Sequence, residues 1–398
     1  MAAPLREKSY TMFKLREYQQ QASDRAVEFF QSDTKMNAIE VLPTGSGKSL
    51  VIADIANRLE GHTLVFQPSK EILEQNYKKM CSYGVMDIAI YSASFNQKKI
   101  ARITFATIGS AIHHIDRFRH FNNVIIDECH KVDSKGGQYE EFIHELKCKV
   151  LGLTATPYRL STSSWGAMLK FLTRTNPRIF SKVIYQVQIQ TLLNMGYLAD
   201  LDYFYTPAPL YDERNLKDNS TGADYTDKSV QEEYKRIDFY SWLVQIVRRV
   251  MTPKRGGKRN GILVFTRFLK EAQRLANEIE ACEMVCGDTP KGERERILEG
   301  FKAGDIKVVV NVGVLTTGFD YPELDTIIMA RPTKSLSLWY QIVGRAIRPS
   351  PYKEKGWVVD LCGNLNRFGK VQDLVLVEPK PNMWQVQSNG RQLTNVLF

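Results

Sequence analysis

The stretch Pro43-Thr44-Gly45-Ser46-Gly47-Lys48-Ser49 decides the fold through what stands on either side of it. A largely apolar run, Ala38 to Leu42, precedes it. Leu50, Ile52, Ile55 and Leu59 then lay a rough apolar helical face along the segment that follows, up to a stop at Gly61. A buried strand, a Gly-rich turn and a helix, in that order, bring backbone N–H groups and the positive end of a helix onto one anion. Leu42 stands where the broad Gly-x-x-x-x-Gly-Lys-Ser/Thr pattern has its first glycine, but Gly45 and Gly47 keep the turn. The pattern predicts a phosphate cradle over Pro43, Thr44, Gly45, Ser46, Gly47, Lys48 and Ser49. Lys48 would reach the β/γ-phosphates of a nucleotide, and the Ser49 hydroxyl its Mg²⁺.

A second stretch, Gln341-Ile342-Val343-Gly344-Arg345-Ala346-Ile347-Arg348, carries two arginines three residues apart. That spacing predicts one face of one helix and a pair of cations suited to a γ-phosphate. Lys48 and Arg345 are 297 positions apart (345 minus 48), which predicts that they belong to different domains.

Short apolar runs alternate with helical patterns around the first motif. Ala38 to Leu42, Thr63 to Phe66, Ile103 to Phe105, Val124 to Ile126 and Val150 to Leu153 read as buried strands of a parallel sheet covered on both faces. The same grammar restarts at Gly261, with strands expected at Ile262–Phe265, Lys307–Asn311, Thr326–Met329 and Trp357–Asp360. Helices are expected near Leu269–Ile279 and Glu293–Phe301, the latter opened by Thr289 as N-cap and Pro290 as first helical residue. Between the two units, Gly196 to Asn260 reads as a connector. It has an irregular stretch around Asp212 to Asp227, then Ser229-Val230-Gln231-Glu232 as a capping box opening a single helix toward Val250. Asp202 to Lys235 holds eight acids and four bases, which argues against that segment lying along a phosphate backbone. Met251 to Asn260, with Pro253, Gly256, Gly257 and four basic residues, reads as a solvated loop. The expected boundaries are 1–195, 196–260, 261–380 and a tail, 381–398.

Composition is ordinary for a globular chain of two or three domains: 398 residues, 43% hydrophobic and 25% charged. The excess of 54 Lys+Arg over 44 Asp+Glu, a net charge of +10, favours a polyanionic partner. Six scattered cysteines spell no disulfide framework. Cys282 and Cys286 form the only close pair and lack a second Cys/His pair nearby, so no zinc is expected. The first ten residues lack the apolar core of a signal peptide, and no run of about 18 apolar residues appears. A cytoplasmic protein without membrane attachment is expected.

Val124-Ile125-Ile126-Asp127-Glu128-Cys129-His130 puts an acidic pair at the end of a buried strand, where open α/β sheets hold ligands. Asp127 is suited to Mg²⁺, and Glu128 to polarising a water that attacks phosphorus. Ser69, Thr107, Thr266 and Thr317 are small hydroxyl residues near strand ends, suited to phosphate oxygens. Phe319, Trp339 and Tyr340 suit either base stacking or domain packing, with packing favoured for the last two.

Asp-Glu-Cys-His resembles the second motif of the superfamily 2 helicases, and the other family blocks follow in order. Leu15-Arg16-Glu17-Tyr18-Gln19 looks like the block whose Arg and Gln recognise adenine. Phe66-Gln67-Pro68-Ser69-Lys70, with Gln75, and Phe105-Ala106-Thr107-Ile108 look like strand-contact blocks. Leu153-Thr154-Ala155-Thr156-Pro157, with His130, resembles the block coupling hydrolysis to movement. Val264-Phe265-Thr266-Arg267 resembles the opening block of the second domain. Asn311 to Asp320 resembles the block touching both nucleic acid, through Thr316 and Thr317, and nucleotide, through Gly318 and Asp320. Gln341 to Arg348 resembles the last block, with Arg345 and Arg348 as arginine fingers. The wording is most similar to RadD-like and XPB-like DNA repair helicases, over about residues 13 to 365. RadD-like chains usually continue into a cysteine-rich zinc segment, whereas no cysteine follows Cys362 here.

The resemblance implies two RecA-like domains in tandem, each a mostly parallel sheet covered by helices on both faces. It implies ATP and Mg²⁺ as cofactors, and hydrolysis coupled to opening and closing of the two domains. DNA, single-stranded or branched, is the favoured partner, with DNA-repair proteins beside it. An RNA helicase, a protein translocase built on the same motor and a nucleotide-gated switch without turnover are the alternatives.

Overall fold

The computed structural model describes residues 14–133, 136–163, 166–253, 259–315, 319 and 321–396. Two compact units emerge. The first runs to Pro43 and then takes Gly47–Pro157 and Leu172–Val187; the second takes Thr44–Ser46, Tyr158–Phe171 and everything from Gln188 on.

In chain order the strands are β1 (Ala38–Val41), β2 (His62–Phe66), β3 (Ile88–Ser92), β4 (Gln97–Lys98), β5 (Ile103–Ala106), β6 (Phe121–Asp127) and β7 (Lys149–Thr154). A hairpin, β8 (Tyr158–Ser163) and β9 (Gly166–Phe171), precedes β10 (Lys182–Gln186). The first unit's sheet has the order β10-β1-β7-β6-β2-β5-β3-β4. Every pair in it is parallel except β3 with β4. β1, β5 and all of β7 after Lys149 are buried, as the largely apolar strands of a parallel sheet covered on both faces must be, Glu40 of β1 being a buried exception. Phe66, Phe118, Phe142 and Tyr91 fill the core beside the sheet, their rings meeting edge to face at 5.0–5.8 Å.

The second unit holds β11 (Asp200–Tyr205), β12 (Ile262–Thr266), β13 (Cys282–Val285), β14 (Val308–Asn311), β15 (Thr326–Ala330) and β16 (Lys355–Asp360). They run parallel throughout in the order β11-β16-β15-β12-β14-β13. β17 (Leu374–Val377), β18 (Gln385–Ser388) and β19 (Arg391–Gln392) make a small antiparallel sheet, so residues expected as tail carry two strands.

Several local expectations are corrected. The segment 196–260 is part of the second unit: it supplies β11 and two helices whose Val230, Tyr234, Phe239, Leu243 and Val247 are core residues. Those helices, Asp227–Arg236 and Phe239–Met251, replace the single expected one, because Asp238 takes a left-handed conformation (φ 49°) between them. Thr226, not Ser229, is the N-cap, its hydroxyl accepting from Ser229 N at 3.3 Å. The break lets Tyr234 stack on Phe239, ring centroids 3.9 Å apart, while the Tyr234 hydroxyl donates to the Ala330 carbonyl on β15 at 3.0 Å. Thr289 likewise does not cap the Lys291–Ala303 helix. Its hydroxyl accepts from Cys286 N at 2.9 Å, and Pro290 stands at the N-cap. Finally, Arg345 and Arg348 do not ride on a helix. The Leu336–Val343 helix closes at Gly344, and both arginines lie in the turns beyond it.

Candidate nucleotide and nucleic-acid sites

The loop between β1 and the Lys48–Arg58 helix turns on two left-handed glycines, Gly45 (φ 84°) and Gly47 (φ 81°), Gly47 being the helix N-cap. A Cβ on Gly47 would lie 2.5 Å from the Gln19 side-chain amide nitrogen, so the missing side chain is what lets Gln19 close on the loop. Gln19 is buried at the start of the Glu17–Gln31 helix, and its side-chain Oε1 accepts from Arg16 N at 2.9 Å. The expected adenine-recognition pair is thus held together beside the cradle.

The acidic pair sits at the C-terminal end of β6. Asp127 is buried; one oxygen accepts from Glu128 N at 2.9 Å, and the other receives the Asn76 amide at 3.4 Å. Glu128 adopts a left-handed conformation (φ 51°), a cost that turns its carboxylate off the strand toward Lys48, 3.5 Å away, and His130, 3.3 Å away. His130 Nδ1 also meets the Thr154 hydroxyl at 2.9 Å, and that hydroxyl accepts from Thr156 N at 3.0 Å. Lys48, Glu128, His130, Thr154 and Thr156 therefore form one continuous polar chain from the phosphate loop to the end of β7.

Burial acts on both acids, with opposite outcomes. At Asp127, burial and then the neighbouring Glu128 charge push the carboxyl up, to about 7. At Glu128, burial is overcome by the Lys48 ammonium and by His130, which hold the carboxylate well below its ordinary range. Lys48 and, after it, Lys131 favour the charged form of both acids. With a helix N-terminus, a glycine cradle and a hydroxyl at Ser49, the donor set fits a nucleotide with a divalent cation. Asn76 was not among the expected site residues. Its signal was a lone amide in the buried Leu73-Asn76-Met80 stripe of the Lys70–Ser82 helix, where it bridges Asp127 to the Gln67 side-chain oxygen Oε1 at 2.9 Å.

The two strand-contact blocks of the first unit come together. Pro68, Ser94, Thr107, Gly109 and Lys131 line a cleft of about 410 Å³. Thr107 meets Ser110 at 3.0 Å, Lys70 donates to the Ser94 carbonyl at 2.7 Å, and Ser69 caps its helix through Ile72 N at 3.3 Å. Gln75 is exposed on the same helix.

In the second unit several of the expected residues are engaged within the fold. Thr266 is buried, and Arg267 is committed to the Asp227 carboxylate (2.8 Å), the Asp224 carboxylate (3.3 Å) and the Tyr225 carbonyl (2.6 Å), so neither side chain faces solvent here. Trp339 is fully buried, its indole N–H donating to the Gly369 carbonyl at 3.1 Å. Arg345 is buried and donates to the Phe319 carbonyl at 2.7 Å; burial lowers Arg348 to about 10. Gln341 is half-buried on the preceding helix. Thr316, Thr317, Gly318 and Asp320 lie outside the described residues. No helix among the described residues is long and apolar enough to cross a membrane.

Two family models match: the type III restriction enzyme res subunit over residues 12–159, and the helicase conserved C-terminal domain over 241–350. The chain is 28% identical over 336 residues to a 51.5 kDa protein of a Lactococcus phage, covering 82% of this chain and 66% of that one. It is 24% identical to IRC3 of Saccharomyces cerevisiae (90% and 52%) and 23% identical to the DNA 3'-5' translocase XPB2 of Sulfurisphaera tokodaii (84% and 79%). In fold it is similar to a fragment of an HsdR subunit of a type I restriction enzyme from Vibrio vulnificus, with TM-score 0.64, 20% identity and coverage of 95% and 70%. It is also similar to the Pyrococcus furiosus Hef helicase domain, with TM-score 0.53, 17% identity and coverage of 87% and 95%. The two sheets are those of paired RecA-like domains, and the chain belongs to the superfamily 2 helicases. Within them its relatives are of the XPB/Rad25 and IRC3 kind. The chain spans about half to two thirds of the length of the first curated relatives.

Proposed function

We propose that the protein hydrolyses ATP in response to a nucleic-acid strand, DNA for preference, and uses the cycle to translocate or unwind, in repair or recombination. The polar chain Lys48–Glu128–His130–Thr154 carries the reading, because it ties a phosphate-loop lysine to the end of the sheet where Pro68 and Thr107 line a cleft.

Ser49 and Asp127 would hold Mg²⁺, which when bound supplies charge neutralisation on the phosphates. Lys48 and the loop N–H groups orient the phosphates, while Arg16 and Gln19 hold the base. Glu128, kept ionised beside Lys48, accepts a hydrogen bond from the attacking water and so orients it. His130 passes the position of Glu128 to Thr154 and Thr156, which gives hydrolysis a route to the strand-contact residues Pro68, Ser69, Lys70, Gln75 and Thr107. In the second unit, Thr316 and Thr317 are assigned to strand contact, Gly318 and Asp320 to nucleotide contact. Gln341, Arg345 and Arg348 are assigned to completing hydrolysis.

DNA is favoured over RNA by the relatives named as DNA helicases and translocases. Steady-state ATP turnover with single-stranded DNA, duplex, forked DNA and RNA tests the reading. Stimulation by DNA supports it. Stimulation by RNA alone replaces the substrate, and turnover indifferent to every nucleic acid favours polypeptide transport.

A further inference from the structure

The acidic segment that leads into the Asp227–Arg236 helix lies across the C-terminal ends of the second sheet's strands. That is where open parallel sheets take their ligands. Arg267 follows β12, Arg331 and Lys334 follow β15, and Arg367 follows the turn after β16. All four cations are engaged by one short piece of chain. Arg267 reaches Asp227 and Asp224; Arg331 lies 3.7 Å from Asp224; Lys334 Nζ donates to Asp218 at 2.7 Å; Arg367 donates to Glu213 at 2.8 Å. The backbone joins in, with Lys334 N donating to Asp224 at 3.1 Å and Arg267 donating to the Tyr225 carbonyl.

Four positive charges are met by four carboxylates, Glu213, Asp218, Asp224 and Asp227. The cations lie mostly covered, with Arg267 and Lys334 side chains 10% exposed, whereas Asp218 and Asp227 on the outer side are 51% and 70% exposed. Burial lowers Arg331, whose Nε finds no hydrogen-bond acceptor among the described residues. A row of carboxylates over a row of cations at strand ends reproduces the charge pattern of a polyphosphate backbone.

We infer that Glu213–Asp227 is an internal strap that occupies a phosphate-backbone surface on the second unit, so a nucleic-acid strand reaches Arg267, Arg331, Lys334 and Arg367 only by displacing it. The inference rests on the nucleic-acid reading above. It accounts for Arg267 being spent inside the fold and for a chain of net charge +10 carrying an acid-rich segment on this unit.

The probe is a labelled oligodeoxythymidine, titrated by fluorescence anisotropy over a salt series against the full chain and against the Asp218→Asn, Asp224→Asn, Asp227→Asn triple variant. Freeing the cations should tighten binding about tenfold or more at low salt. The slope of log K against log [salt] should steepen by about 2, roughly 0.7 for each of three phosphates gained. Adding Arg331→Gln and Lys334→Gln to the triple variant should return both quantities toward the parent's. An unchanged or weaker affinity with unchanged slope in a triple variant that keeps the parent's circular dichroism overturns the strap. Should the triple variant unfold, Asp218→Asn alone, whose carboxylate is half exposed, must still steepen the slope, and an unchanged slope there also overturns it. If the parent chain itself binds no oligonucleotide and its turnover ignores nucleic acid, the function proposal has failed and the strap falls with it. A parent that binds and is stimulated while the variants match it sinks the strap alone.

Discussion

Glu128 shows how one residue is made to do chemistry. A left-handed backbone turns Glu128 onto the Lys48 ammonium and a hydrogen bond with His130, which overcome burial and keep it ionised in a site where its neighbour Asp127 is pushed toward protonation. Lys48→Ala removes the charge that holds Glu128 down, and Glu128→Gln removes the acceptor itself. Each should cut ATP turnover by at least about 100-fold, the scale for losing one fixed charge partner of a transition state. Glu128→Gln should still bind nucleotide, as equilibrium dialysis would read; full turnover in it would remove Glu128 from the mechanism. Gly47→Ala tests the cradle separately. The left-handed N-cap and the Gln19 amide 2.5 Å from the new Cβ should together cost about 1–2 kcal/mol and weaken nucleotide binding, read by urea titration and dialysis.

At the scale of elements, the second unit's core is built around β15 and the helices that cover it. Ile328 is fully buried on β15, so Ile328→Ala should cost about 2–5 kcal/mol in urea unfolding, and a loss under 1 kcal/mol would mean that the core is misassigned. Glu271 in the first turn of the Leu269–Glu278 helix is buried, and burial raises its carboxyl to about 7 from 4.5, against the pull of the Phe268 N–H it accepts at 2.9 Å. A raised folded pKa means stability that is fully present below 4.5 and lost as pH climbs through about 7. Urea midpoints of the parent should therefore fall across that window more than those of Glu271→Gln, and parallel pH profiles would contradict the assignment.

The same elements show what the sequence made legible. Central strands such as β7 and β15 are buried on both faces and are written as nearly continuous apolar runs, and β1 departs from one only at the buried Glu40. The edge strands β10, β11 and β13 have one neighbour each and keep partly exposed residues, so Asp200-Leu201-Asp202 and Cys282-Glu283-Met284 carry no such run. The phosphate loop and the acidic pair were legible because phosphate chemistry constrains residue type and spacing together. Asn76 was not, since its role depends on a tertiary approach of the Lys70–Ser82 helix to β6. The engagement of Arg267 was not legible for the same reason: nothing local announces that Asp224 and Asp227, about forty residues earlier, return to meet it.

For the molecule as a whole, the claim is that a phosphate loop and strand-contact residues in one chain make hydrolysis answer to a polyanion. The net charge of +10 favours the encounter, and its contribution should fade with salt as surface charges are screened. His130 and Thr154 are the proposed link, so His130→Ala should reduce the stimulation by nucleic acid more than turnover in its absence; an equal loss in both would make His130 merely structural. The most direct test is steady-state ATP turnover of the full chain with and without saturating single-stranded DNA at low salt. The account predicts a rise within the usual range of site-to-site coupling, about 5–150-fold, that disappears in Lys48→Ala. Turnover that is the same with and without every nucleic acid offered would contradict it.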